Sequence, residues 1–283
     1  MLLLSGSTVQ GNIPRTSKLH HEGSDMTSII TFAANKGGVG KTTISATIAH
    51  TLALSGQRVL AVDLDPQGNM TSALGGPDDL PGFADVIRGE SQLIDVIVTT
   101  EPGVDLLAPG RGLVAAGQAL VTEPGGERVL RRALATMPEP YEVIVIDTPP
   151  DLGRLTLNGV AAATHVVAII NPARWAAEGG VTISALCQQV RDLELGSPVF
   201  LGAIVNKVPG GKRLVRDAVM GSLESTDITL FETRIPERSS LEQAEFISAP
   251  ITHVDPGGRE AKLFKALADE LNKKIAASTE AES

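Results

Sequence analysis

The sequence predicts an α/β fold in which a mostly parallel, twisted sheet carries helices on both faces, and three observations point there. Hydrophobic residues make up 42% of the 283 residues but aromatic residues only 3%, so the core must be aliphatic strands covered by small-residue helices. Near-continuous Val/Ile runs recur along the chain, the pattern of strands buried on both faces. Stretches of helical periodicity separate most of these runs, as parallel strands joined by crossovers require.

The elements follow in chain order. Residues 1–25 mix Ser, Gly, Pro and Asn without periodicity and read as a flexible extension, with Met26 as an alternative start. His20 and His21 in that arm have no further ligand beside them and read as solvated. The first buried strand is expected at 28–33, then a glycine-rich loop, a helix over about 42–55 closed by Gly56, and a second strand from Arg58 to Val62. Further strands are expected at 104–108, 142–146, 165–170, 199–205 and 228–235, and a final helix at 259–275. Residues 26–276 read as one domain and 277–283 as a disordered acidic tail.

The net charge of −9 and pI near 5.1 exclude a protein whose whole surface is basic, although a local basic face remains compatible with them. Cys187 is the single cysteine, so neither an intrachain disulfide nor a cysteine-built cluster can form. No apolar run reaches the roughly 18–20 residues of a membrane span, and Met1-Leu2-Leu3-Leu4 is too short for a signal-peptide core. A cytoplasmic protein is expected.

Between the first strand and the first helix lies Lys36-Gly37-Gly38-Val39-Gly40-Lys41-Thr42-Thr43. A glycine-rich turn at that place lets backbone N–H groups point at phosphate oxygens, and the helix N-terminus adds favourable partial charge. Lys41 would reach the β- and γ-phosphates and Thr42 would ligate Mg²⁺. The general P-loop pattern wants Gly where Asn35 stands. Downstream, Asp63 and Asp65 in Asp63-Leu64-Asp65-Pro66-Gln67-Gly68-Asn69 fall at the carboxyl edge of the second strand, where ligands bind in open α/β folds. Asp147, in Asp147-Thr148-Pro149-Pro150-Asp151-Leu152-Gly153, ends another strand in the arrangement that holds Mg²⁺ in P-loop enzymes. Asp151 reads as a helix cap.

These segments resemble the ParA/MinD superfamily of P-loop NTPases with a deviant Walker A loop, over about residues 27–271. The resemblance implies ATP and Mg²⁺ as cofactors. It implies that Lys36 contacts phosphate across a homodimer interface, that Asp65 orients the attacking water, and that Asp63 and Asp147 support Mg²⁺. Asn206-Lys207 resembles the place where relatives bind adenine. The segment from Ile235 and Pro236 to Pro250 and Ile251 resembles the one that closes over the base, with Glu237 where an Arg is common.

Absent residues narrow the branch. One cysteine excludes relatives with bridging iron–sulfur clusters, and Tyr141 as the only tyrosine excludes the tyrosine-kinase branch. The Asp-Pro-Gln-Gly-Asn wording resembles the ParA/Soj type of partition ATPase, which implies an ATP-bound sandwich dimer on non-specific DNA, associated with the nucleoid and released on hydrolysis stimulated by a ParB-like centromere-binding partner. Candidate DNA contacts are Lys212, Arg213, Arg216, Arg234 and Arg238, with Arg128, Arg131 and Arg132 as a second cluster. No DNA-reading helix-turn-helix fits into the short arm ahead of the loop. The alternative is a MinD-like or cargo-positioning ATPase acting on a membrane or a protein complex. Membrane binding is disfavoured, because the final helix reads as core-packing.

Overall fold

The computed structural model describes residues 27–77, 79–100, 103–138, 141–172, 176–210, 221 and 228–282. The strands are β1 (Ser28–Ala33), β2 (Val59–Asp63), β3 (Ile97–Thr99), β4 (Asp105–Leu107), β5 (Val143–Asp147), β6 (His165–Ile170) and β7 (Val199–Val205). They form one sheet of order β3-β4-β2-β5-β1-β6-β7, parallel throughout except for the β3–β4 pair. Among the described residues the helices are α1 (Lys41–Leu54), α2 (Asn69–Ala73), α3 (Phe83–Ile87), α4 (Leu113–Ala119), α5 (Val129–Ala135), α6 (Arg154–Ala162), α7 (Ala176–Asp192), α8 (Ser239–Phe246), α9 (Ile251–Val254) and α10 (Arg259–Glu282).

The period-2 alternation of each strand decides which face a side chain joins. Ile30 and Phe32 of β1 pack with Ile44, Ile48 and Leu52 of α1 and Phe264, Leu267 and Leu271 of α10 on one face. On the other face, Leu60, Val62, Ile144 and Ile146 meet α4, α5 and α6, while Val166, Ala168 and Ile170 meet α7. Thr31 also points to that second face, where its hydroxyl donates to the Gly159 carbonyl of α6 at 2.8 Å. Burying each such aliphatic side chain contributes about 1.5–3 kcal/mol, so helices cover both faces, as the sequence predicts.

Three expectations need correction. β3 is an antiparallel edge strand of three residues, too short for periodicity to reveal. The run 228–235 is not a strand: it meets the β7 edge through an isolated bridge between Leu230 and Ala203, and just past it Pro236 bridges Val208. At the first of these bridges Ala203 N donates to the Thr229 carbonyl at 2.8 Å and Phe231 N to the Ala203 carbonyl at 2.9 Å, and Gly202, at φ 122°, admits that approach because a Cβ on it would lie 2.3 Å from the Thr229 oxygen. Residues 277–282 are also not a disordered tail. They continue α10, and Ser278 Oγ lies 2.9 Å from His165 Nε2, tying the helix to the start of β6.

Candidate nucleotide-binding site

β1 is flanked by β5 and β6, so the chain leaves the sheet centre in both directions and opens a crevice at the carboxyl edge, where ligands bind in such folds. The loop after β1 sits there. Gly38 and Gly40 take φ of 73° and 82°, left-handed values that L side chains rarely adopt. Gly40 is further constrained, since a Cβ there would lie 2.2 Å from Asn206 Nδ2. The loop residues from Lys36 to Thr43 line a trough of about 380 Å³ together with Asp65, Gln67, Pro150, Ala249 and Pro250.

Beneath this trough the loop is tied to β5. Lys41 Nζ donates to Asp147 Oδ1 at 2.6 Å, Ser45 Oγ to the same oxygen at 3.0 Å, and Thr42 Oγ1 to Asp147 Oδ2 at 2.7 Å. Lys41 is 6% exposed and Asp147 fully buried. Lys36, by contrast, is exposed at the rim.

The acid pair after β2 divides. Asp63 and Asp147 are register partners on adjacent strands. Asp63 is fully buried and turns away from the trough: its Oδ2 accepts from Thr71 N at 2.8 Å and Thr71 Oγ1 at 2.9 Å, its Oδ1 from Asp65 N at 3.1 Å. Burial first, then the Asp147 charge, pushes its carboxyl up to about 7. In this arrangement Asp63 joins β2, the Asp65 loop and α2, and Asp147 is the member of the pair that meets the phosphate loop. Asp65 does line the trough, held by Gln67 N donating to its Oδ1 at 3.0 Å. Burial raises its carboxyl above the ordinary range, opposed by the Gln67 N–H and the Lys41 charge. Asp151 is not the N-cap of α6, which is Gly153; its Oδ1 accepts from Gly153 N at 2.7 Å.

A narrow slot continues past the loop, lined by Gly40, Thr43, Asn206, Pro236 and Arg238 among others. Asn206 Nδ2 donates to the Val39 carbonyl at 2.7 Å, which joins the end of β7 to the phosphate loop. Lys207, at φ 54°, donates from Nζ to the Gly38 carbonyl at 3.2 Å. Arg238 lines this slot, with its Nε buried. Arg234 is exposed, while Lys212, Arg213 and Arg216 lie outside the described residues. Arg131 donates to the Leu195 carbonyl at 2.7 Å and lines a different cavity, beside the first residues of β1 and β6.

The donor set fits a hard cation. Thr42 and Asp147 supply oxygen ligands, yet no group of three or more His, Cys, Asp or Glu among the described residues makes a cage. Magnesium suits that situation, because it keeps waters and takes its other ligands from phosphates.

A phosphate loop at the sheet crevice, a lysine and a threonine tied to a strand-end aspartate, and a second aspartate lining the trough define a P-loop nucleotide hydrolase. Residues 27–196 match the AAA domain family. The chain is 34% identical over 251 residues to the chromosome-partitioning ATPase Soj of Treponema pallidum, covering 87% of this chain and 97% of that protein. It is 33% identical over 252 residues to the sporulation initiation inhibitor protein Soj of Bacillus subtilis, covering 87% and 98%. Cobyrinic acid a,c-diamide synthase from Mycobacterium smegmatis with bound ADP and magnesium superposes with a TM-score of 0.77 at 30% identity, over 89% of this chain and 97% of that one. The same protein with an ATP analog and magnesium superposes at 0.70 and 32% identity, over 83% and 98%. The chain belongs to the Soj/ParA family of chromosome-partitioning ATPases, within the ParA/MinD superfamily.

Proposed function

We propose that this chain is an ATP-dependent DNA-partitioning ATPase that closes into a sandwich homodimer, binds DNA non-specifically and lets go on hydrolysis stimulated by a ParB-like partner. One observation carries the reading: Lys36 stands exposed on the trough rim while Lys41 and Thr42 are tied to Asp147 below it. The loop thus holds one inward and one outward cation, and an outward lysine serves a nucleotide held by a second copy.

Lys41 exchanges Asp147 for phosphate oxygens when nucleotide arrives, and Thr42 and Asp147 would hold Mg²⁺ beside it. Bound there, magnesium would supply positive charge that offsets the charge of the phosphates. Asp65, in the trough wall, orients the attacking water. Lys36 of the second copy adds positive charge where negative charge develops. The likeness to the Treponema Soj ATPase over 97% of its length supports partition as the task.

The test is a gel shift with non-specific duplex and no nucleotide, ADP or ATP. Binding with ATP alone, weakening steeply between 50 and 200 mM salt as phosphate contacts do, is expected. Lys36→Ala should abolish both this binding and the ATP-dependent dimer seen by light scattering. No binding at low salt with ATP overturns the DNA reading in favour of protein or membrane cargo.

A further inference from the structure

The trough that takes phosphates and the slot beside Asn206 are separate cavities that share three wall residues: Gly40, Thr43 and Glu245. Gly40 and Thr43 belong to the phosphate loop and its helix. Glu245 comes from the last turn of α8. A nucleotide with its phosphates in the trough and its base in the slot has its sugar at the junction, facing Glu245.

We infer that Glu245 is a specificity-determining residue that reads the ribose hydroxyls, so that the site selects ribonucleotides over deoxyribonucleotides. The inference rests on the nucleotide reading of the site proposed above. The chemistry follows from what the carboxylate has and lacks. Glu245 is exposed, and its side chain makes no hydrogen bond or ion pair in the described structure, so its oxygens are not committed to the fold. A carboxylate is an acceptor only. Beside a triphosphate it would repel the oxygens, and the matching groups at the junction are the two sugar hydroxyls, which donate. Dinucleotide-binding folds use an acidic residue on ribose in the same chemical sense. Of the three shared residues Gly40 has no side chain and Thr43 offers a neutral hydroxyl, so Glu245 supplies the one charged acceptor at the junction.

The experiment measures equilibrium affinity of the intact protein with Mg²⁺ for ATP, 2′-deoxy-ATP, 3′-deoxy-ATP and GTP, in wild type, Glu245→Ala and Glu245→Gln. Wild type is expected to bind at least one deoxy analogue roughly ten-fold more weakly than ATP, as losing a hydrogen bond to a charged acceptor predicts. That ratio should collapse to about one in Glu245→Ala and shrink partly in Glu245→Gln. Equal affinity of wild type for ATP and both deoxy analogues, or an undiminished ratio in Glu245→Ala, overturns the inference. So does an altered ATP-to-GTP ratio with an unchanged deoxy ratio, which would place Glu245 on the base. Failure of wild type to bind any of the nucleotides instead overturns the nucleotide reading itself. Unfolding midpoints in urea confirm that the variants fold, as expected for an exposed side chain without partners.

Discussion

The contact between Lys41 and Asp147 offers a quantitative test of how the resting loop is held. Asp147→Asn keeps the shape of the side chain and an acceptor oxygen for one of the Thr42 and Ser45 hydroxyls, but leaves the Lys41 ammonium, 6% exposed, without its 2.6 Å counter-ion. Breaking one half of a buried pair costs about 3–5 kcal/mol. At roughly 2 °C per kcal/mol for a domain of this size, the melting temperature should fall by roughly 6–10 °C. Lys41→Met should cost a similar amount for the opposite reason, because it strands the Asp147 charge beside its register partner Asp63. The double variant has neither stranded charge. It should therefore lie about 2–3 kcal/mol above the sum of the singles, as directly coupled residues do. The assay is urea unfolding of the four nucleotide-free proteins at pH 7, followed by circular dichroism. Additive single and double variants, or singles costing under about 1 kcal/mol, would refute the claim that this ion pair holds the loop.

Other expectations address neighbouring groups. Asp65→Ala should bind ATP with near wild-type affinity but lose turnover by at least roughly a hundred-fold in a phosphate-release assay; normal turnover would remove Asp65 from water positioning. Gly40→Ala meets both a φ of 82° and an Asn206 Nδ2 atom at 2.2 Å, so equilibrium dialysis should find ATP binding lost and melting should find the fold weakened by about 1–3 kcal/mol. His50 is buried and lies 2.7 Å through Nδ1 from Thr252 Oγ1; burial first and His253 second push it down from 6.5 to about 4. The folded state therefore binds fewer protons than the unfolded state between these values. Its contribution is complete above 6.5 and is lost as pH falls through about 4. Melts of wild type and His50→Gln should converge across that window, and parallel curves would contradict the assignment.

What the sequence disclosed was local. The glycine loop, Asp65 and Asp147 could be placed because each follows a buried strand directly and the chemistry of such ends is narrow. The 2.6 Å bond between Lys41 and Asp147 spans 106 positions, yet the parallel register of β1 with β5 makes it a consequence of two short motifs. The direction of the Asp63 carboxylate was not legible, because it depends on Thr71, eight residues on, whose amide and hydroxyl donate to it. Nor was the place of Arg238 in the slot, because nothing in its neighbours discloses that Pro236 and Val208 pair and carry it there. The run 228–235 has strand composition, and nothing in that composition discloses that its pairing with β7 is confined to an isolated bridge at Leu230.

That interrupted edge has a consequence for recognition. Val208 N donates to the Ile235 carbonyl and Glu237 N to the Val208 carbonyl, both at 2.9 Å, so Asn206 and Pro236 are walls of one rigid piece. Asn206 is in turn fastened to the phosphate loop through Val39. These bonds link Asn206, Pro236 and the phosphate loop, so a displacement of any one of them is felt by the other two. A substitution at either Val208 or Pro236 would therefore act on the slot and on the phosphate loop together.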